Sequence, residues 1–132
     1  MGNSEHIKTG AFQEDTFRVE SDQSAIVVGS GGVPVLATPW LIAFIERVAF
    51  RLLEADLSEE LSSVGTEVNI RHKAPSPIGS KVRVSAKVIS VDGKRITLSV
   101  QARDEQKIIA EGTHQRVIID RTRFLEQIAH KD

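Results

Sequence analysis

Three polar side chains occupy positions where the sequence predicts a buried face or the start of a helix. Thr38 and Glu46 lie in the apolar segment VLATPWLIAFIERVAF, and His72 lies in the strand-like segment that follows it. A carboxylate and an imidazole together can activate water or form a covalent acyl intermediate. The unpaired N–H groups at a helix N-terminus suit a developing oxyanion. These residue types therefore predict hydrolytic or acyl-transfer chemistry if the fold brings them together.

Each of these residues also has a purely structural interpretation. Thr38 precedes Pro39 and fits the N-cap of a helix, the commonest role of a threonine at such a position. Glu46 fits equally well an ion pair with an arginine, and His72 fits a core histidine with satisfied hydrogen bonds. The segment GTHQR adds His114 and Arg116, which are also compatible with an ordinary strand surface. The residues alone leave these alternatives open.

Other kinds of site are disfavoured by what the sequence lacks. The segment GSGGVP resembles a phosphate-binding loop only in its glycine content, because it has neither the Lys-Ser/Thr pair nor the dinucleotide-binding spacing. The chain has no cysteine, and its four histidines show no metal-ligand spacing, since His6 and His130 are terminal and the other two are isolated. We therefore expect neither a metal nor a cofactor.

Length and composition are typical of one soluble globular domain. The chain has 132 residues, 40% hydrophobic and 27% charged, and a division into two domains would leave each half short of core. The net charge of −1, with both signs interspersed, argues against nucleic-acid binding. The N-terminus lacks a signal-peptide pattern and no apolar run is long enough to span a bilayer. We therefore expect a single domain over residues 1–132, in the cytoplasm and away from membranes.

The element predicted to position Glu46 is one long helix, from about Pro39 to Ala55. Its charged residues recur at i, i+4 and i+7 and form one wet stripe: Arg47, Arg51 and Glu54. Glu46 lies about 100° round the helix from the start of that stripe. Its own face is apolar: Ile42, Ala49 and Leu53. We therefore expect the Glu46 side chain to point into the protein.

After the helix the hydrophobic period changes from 3.6 to 2, which predicts strands. In VGTEVNIRHKAP, His72 shares the inward face with Val68 and Ile70. KVRVSAKVIS and RITLSVQAR form a hairpin through the turn at 92–94. Their inward residues are predicted to be Val82, Val84, Ala86, Val88, Ile96, Leu98, Val100 and Ala102.

The remaining segments complete the predicted domain. KIIAEGTHQRVIID predicts a long strand interrupted at Gly112, and RTRFLEQIAHK a short terminal helix within 121–132. A strand pair, DTFRVE and SAIVV, is predicted before the long helix. This order predicts an α+β domain, with its core at about 12–120, in which one helix packs on an antiparallel sheet of six strands.

Three segments together resemble the fluoroacetyl-CoA thioesterase-like family of the hotdog-fold superfamily: VLATPWLIAFIE, SVGTEVNIRHKAPSPIGSKV and EGTHQRVIID. Each motif alone is modest, but all three in this order, over about residues 33–120, form a fairly specific signal. The family fold is a long central helix wrapped by an antiparallel sheet, as the periodicity predicts. The resemblance also implies a homodimer with acyl-CoA sites at the subunit interface, and a dimer of dimers is the alternative assembly.

The resemblance assigns roles to five residues of this chain. The family's catalytic Thr, Glu and His fall on Thr38, Glu46 and His72. The glycine of the VGT motif falls on Gly65, whose backbone N–H would help to hold the thioester carbonyl or a bound water. The arginine of the GTHxR motif falls on Arg116, near the site or the CoA.

One segment departs from the family pattern. The fluoroacetate-specific member carries bulky aromatic residues in the lid before the helix, where this chain has VVGSGGVP. The resemblance therefore implies thioester hydrolysis without implying selectivity for a fluorinated acyl group.

The sequence thus favours an acyl-CoA thioesterase that releases a short or medium-chain acid and CoA. A non-catalytic acyl-CoA-binding module is the first alternative, and a hotdog enoyl-CoA hydratase or dehydratase, whose Asp/His motif is absent, is the second. A homodimer also has physical support, because one sheet and one helix at this length leave strand edges and apolar surface uncovered. The acyl group, the choice between CoA and acyl carrier protein, and the role of Glu46 as nucleophile or general base stay open.

Overall fold

One long helix lies against one face of a five-stranded antiparallel sheet in the computed structural model, which describes residues 6–129. The strands are β1 (Phe12–Arg18), β2 (Leu61–His72), β3 (Lys81–Asp92), β4 (Arg95–Arg103) and β5 (Ile108–Asp120). The helices are α1 (Ala25–Val28), α2 (Thr38–Glu54) and α3 (Arg121–Ala129), with a single 3₁₀ turn at Ser21–Gln23. The strand order is β1-β3-β4-β5-β2, so β1 and β2 are the edges of the sheet.

The core lies between α2 and the inward face of the sheet. The helix buries one broad apolar face: Leu41, Phe44, Ile45, Val48, Ala49, Leu52 and Leu53. All eight inward positions predicted for the hairpin of β3 and β4 are buried. The hairpin turn is also confirmed, because Asp92 pairs with Arg95 and Gly93 between them has a φ of 62°, which favours glycine. The predicted α+β class is therefore confirmed.

The predicted strand SAIVV is wrong, because those residues form the short helix α1. The Ser24 hydroxyl accepts a hydrogen bond from the Val27 backbone N–H at 3.3 Å, and Gly29 ends the helix with a φ of 88°. This local capping outweighs the β-propensity of Ile26 and its two valines. The described sheet consequently has five strands, not six.

Gly112 does not interrupt β5, which runs unbroken through it opposite Ile70. A Cβ at Gly112 would collide with the Asn69 carbonyl oxygen and the Ile70 Cα, so the glycine allows two backbones to approach closely. The irregularity lies instead in β2, where a bulge shifts the register between Gly65 and Glu67.

The observed ends of helix α2 differ slightly from the predicted ones, whereas α3 begins as predicted. The terminal helix is confirmed as far as Ala129, and the rest of the predicted segment, including His130, lies outside the described residues. Helix α2 begins at Thr38, with Ala37 at the cap position and no side-chain cap, so the predicted capping role of Thr38 is wrong. None of the helices within residues 6–129 is long and apolar enough to cross a membrane.

Candidate active site

The candidate residues are distributed along α2 and β2, which run in opposite directions beside each other. Near the start of α2, Thr38 Oγ1 and His72 Nδ1 are 2.8 Å apart. Two turns further on, Glu46 faces Gly65, where an added Cβ would lie 2.5 Å from Glu46 Oε2. The sequence-predicted residues therefore form two groups within one chain.

The first group is the hydrogen-bonded pair of Thr38 and His72. The Thr38 hydroxyl binds the imidazole instead of capping the helix, and His72 is half-buried at the end of β2 on the face predicted from alternation. Burial lowers the pKa of His72 below its ordinary value, which favours the neutral ring. His72 Nε2 is buried and has no hydrogen-bond partner among residues 6–129, so it is the ring atom left for a ligand or water.

The pair opens onto a cavity of about 260 Å³. Most of its other lining residues are small or aliphatic (Ala25, Val35, Leu36, Ala37, Ala74 and Pro75), and Ser30 and Lys73 complete the lining. Most of this wall belongs to the segment between α1 and α2 and to the loop after β2. A single bridge from Val35 to Pro77 joins those two segments, and a second bridge, from Leu36 to Ser24, ties the first of them to the residue before α1. An apolar cavity beside an imidazole suits an aliphatic acyl group.

The second group is centred on Glu46, whose environment differs from the prediction. Its side chain is 45% exposed in the single chain, so the expectation that it points into the protein is wrong. Glu46 faces β2, which is an edge strand, and no further strand within residues 6–129 lies beyond β2 to cover the side chain. Arg116 Nη1 lies 3.8 Å from Glu46 Oε2.

Arg116 and His114 are both buried, which rules out the strand-surface interpretation. Arg116 donates from Nε to Ser63 Oγ at 2.8 Å and from Nη2 to the Ser63 carbonyl at 3.0 Å. Its Nη1 is 3.2 Å from His114 Nε2, and its guanidinium lies over the Phe50 ring. Burial lowers the pKa of Arg116, and the carboxylates of Glu46 and Glu54 oppose that effect.

Ser63 was not predicted from the sequence, and His114 was interpreted as compatible with an ordinary strand surface. The available signal was the alternation in β5, where His114, Arg116 and the core residue Ile118 share one face. Two ionisable side chains in register with a core isoleucine are seldom surface residues. Within residues 6–129, no three histidine, aspartate or glutamate side chains are grouped as metal ligands.

Comparison with known proteins connects this geometry with a family. The sequence model of the fluoroacetyl-CoA-specific thioesterase family FlK matches residues 19–122. A fluoroacetyl-CoA thioesterase from Streptantibioticus cattleyicolor is 32% identical over 97 residues, which are 74% of this chain and 70% of that protein.

Solved structures give the same result. The structure of the fluoroacetyl-CoA thioesterase FlK superposes with a TM-score of 0.89 at 26% identity, covering 96% of this chain and 98% of that chain. A hot-dog-like protein from Thermanaerovibrio acidaminovorans has a TM-score of 0.91 over 99% of this chain and 97% of its own, and at 21% identity it supports the fold alone. These matches confirm the resemblance and favour the hydrolase over the binding module and the hydratase. The chain therefore belongs to the fluoroacetyl-CoA-specific thioesterase family and is a thioester hydrolase with the hotdog fold.

Proposed function

We propose that this thioesterase hydrolyses short or medium-chain aliphatic acyl-CoA esters at a site shared between two subunits. The observation that carries the proposal is the Thr38–His72 hydrogen bond at an apolar cavity, in a chain of this family. In the proposed site, Thr38 orients His72, Glu46 is the nucleophile or general base, and Gly65 and Arg116 support the reacting oxygen and carboxylate.

The proposed chemistry follows from the state of each group. Neutral His72 has one ring nitrogen held by Thr38 and the other without a hydrogen-bond partner among the described residues, so it can orient water or exchange a proton with it. On one route, water attacks the carbonyl carbon while Glu46 accepts its proton; the C–S bond then breaks, the CoA sulfur takes up a proton, and the carboxylic acid leaves. On the other route, the Glu46 carboxylate attacks the carbonyl carbon, and the C–S bond breaks to release CoA and leave a mixed anhydride. Water then hydrolyses the anhydride, which frees the carboxylic acid and restores Glu46. The positive end of α2 favours the oxyanion formed on the way.

The distance between Thr38 and Glu46 within one chain is the reason for proposing a site shared by two subunits. Eight helical residues separate Thr38 from Glu46, which amounts to about 12 Å along the axis of α2. A single thioester carbonyl cannot be reached by both groups of one chain at that separation. The outer side of β2, a strand of 12 residues, has no strand neighbour within residues 6–129. A two-fold axis near residues 68–69 would pair two copies of β2 and place residue 65 of one copy opposite residue 72 of the other.

Subunit complementation tests this arrangement. Glu46→Gln and His72→Ala variants are each expected to lose most activity, measured by thiol release from an acyl-CoA. Unfolded and refolded together, they should recover about a quarter of wild-type activity, since half of the dimers then hold one intact site. If the mixture stays as inactive as its components, the site lies within one chain. Unchanged rates in both single variants would exclude these catalytic roles.

A hydrolysis panel identifies the acyl group. The apolar cavity predicts faster turnover of acetyl- to octanoyl-CoA than of malonyl-CoA, whose carboxylate would be desolvated there. Fluoroacetyl-CoA belongs in the panel because the relatives act on it, and acyl carrier protein esters test the carrier. Preference for a charged acyl group would contradict the proposal. The cytoplasmic location and any assembly beyond a dimer stay predictions.

A further inference from the structure

His114 is held in one protonation state by two partners of fixed character. Its Nδ1 lies 2.8 Å from the Glu67 backbone carbonyl, which can only accept a hydrogen bond. Nδ1 therefore carries a hydrogen. Its Nε2 lies 3.2 Å from Arg116 Nη1, and a guanidinium can only donate. Nε2 must therefore present its lone pair, which makes His114 the neutral Nδ1–H tautomer.

The rest of the surroundings agrees with a neutral ring. His114 is fully buried, and the apolar Leu98 lies opposite it on β4. Glu46 and Glu54 approach from α2, and the cation Arg116 shares β5 with the ring. Burial lowers the pKa of His114, the hydrogen bond to Glu67 opposes this, and Arg116 adds to the lowering. A second proton would place an N–H against the Nη1 donor of Arg116.

The guanidinium of Arg116 is thereby fixed on three sides. Ser63 accepts from Nε and Nη2, and His114 accepts from Nη1, which also faces Glu46 Oε2 at 3.8 Å. Glu46 has no other charged partner that the structure places within 4 Å among residues 6–129. The orientation of its carboxylate consequently depends on where Ser63 and His114 hold the arginine.

We propose that Ser63 and neutral His114 are positioning residues, which hold Arg116 so that its Nη1 orients the Glu46 carboxylate for thioester hydrolysis. The β2 bulge is part of this device, because it lies between Gly65 and Glu67, the residue whose carbonyl binds His114. The inference rests on the proposed catalytic role of Glu46, but the state of the ring can be measured without it.

Nitrogen-15 NMR of the histidine rings tests that state directly. His114 should show a protonated Nδ1 and an unprotonated Nε2 at neutral pH, and should remain neutral below the ordinary imidazole pKa of about 6.5. The opposite tautomer, or protonation of His114 at that ordinary pKa, would overturn the inference whatever the enzyme's activity.

Kinetics of paired variants test the positioning role. Ser63→Ala should lower kcat about tenfold with little change in KM, the effect expected for one lost hydrogen bond to a charged group. Ser62→Ala is the matched control, since Ser62 is its buried neighbour on β2 and binds Glu54 rather than Arg116. Equal kcat values in these two variants would contradict the role of Ser63.

His114 allows a rescue experiment. His114→Gln retains a neutral donor and acceptor that can bridge Glu67 and Arg116, so kcat should stay within about threefold of wild type. His114→Ala should lower kcat at least ten times more than His114→Gln does, with an unchanged KM. If both variants are folded, as shown by thermal unfolding, and have similar kcat values, His114 does not position Arg116 for the reaction. If Glu46→Gln retains full activity, the proposed catalytic role of Glu46 fails, and the NMR result still decides the tautomer.

Discussion

The hydroxyl of Thr38 determines how His72 is presented to the cavity. An imidazole can rotate about two side-chain bonds, and the 2.8 Å contact to Thr38 Oγ1 fixes which ring nitrogen is left unpaired. The sequence predicted that these residues share a site only through the family resemblance. It could not show their direct contact, because that contact joins residues 34 positions apart. The capping preference of threonine pointed instead to a purely local role.

Two substitutions of Thr38 distinguish the contribution of its hydroxyl from that of its side-chain shape. Thr38→Val should lower kcat by about tenfold or more, since one hydrogen bond that orients the ring is lost at nearly constant volume. Thr38→Ser, which keeps the hydroxyl, should stay close to wild type. Both rates are measured by thiol release from the best acyl-CoA of the panel. Equal rates in the two variants would show that the contact has no part in the reaction.

Gly65 is sensitive for a different reason, the closeness of Glu46. Gly65→Ala places a methyl group 2.5 Å from Glu46 Oε2, so the carboxylate must move. We expect a loss of activity of about 100-fold while the protein remains folded, since such displacements of a catalytic group are costly. Gly32→Ala is the control, because Gly32 has open space around it and no positive φ. Wild-type activity in Gly65→Ala would contradict the placement of Glu46.

At the scale of elements, long periodic segments were predicted well and short ones were not. Helix α2 was placed within one residue at each end, and the inward faces of β3 and β4 were correct at every position. The strand predicted for SAIVV is wrong because a serine N-cap and a C-terminal glycine are enough to make a segment of four residues helical. The predicted orientation of Glu46 is wrong because periodicity gives only the position of a residue round the helix. The strand order decides whether that side of the helix faces the core or the edge of the sheet.

The contact between β2 and β5 depends on the missing side chain of Gly112. Gly112→Ala should lower the free energy of unfolding by about 3 kcal/mol, because the new methyl group meets backbone atoms that cannot move independently. The measurement is denaturant unfolding at fixed protein concentration. Gly32→Ala again serves as the control and should change stability by less than about 1 kcal/mol. A stable Gly112→Ala variant would mean that the two strands can separate without cost.

For the whole molecule, two histidines with lowered pKa values tie stability to pH. Both folded-state pKa values lie below the ordinary value of 6.5, so the unfolded chain takes up protons first as the pH falls. The stability that these two rings contribute is therefore fully present above about pH 6.5 and is lost progressively below it, until the folded rings also become protonated. His114 dominates because it is fully buried, whereas His72 is partly exposed.

Unfolding at two pH values measures this coupling. Between about pH 7.5 and 5.5, the free energy of unfolding should fall by up to about 1.4 kcal/mol through His114. His114→Gln should remove that part of the pH dependence, because glutamine does not titrate in this range. An identical pH dependence in wild type and variant would show that the ring titrates normally in the folded protein.

The cavity wall and the carboxylate of Glu46 have separate supports. The wall comes from the segment before α2 and the loop after β2, joined by the bridge from Val35 to Pro77, while Glu46 faces Arg116 of the sheet. We therefore expect substitutions in the wall to alter which acids the enzyme releases while leaving the support of Glu46 intact, although Thr38 and His72 line the same cavity. Residues 25–37 are consequently the natural place to begin engineering new specificities.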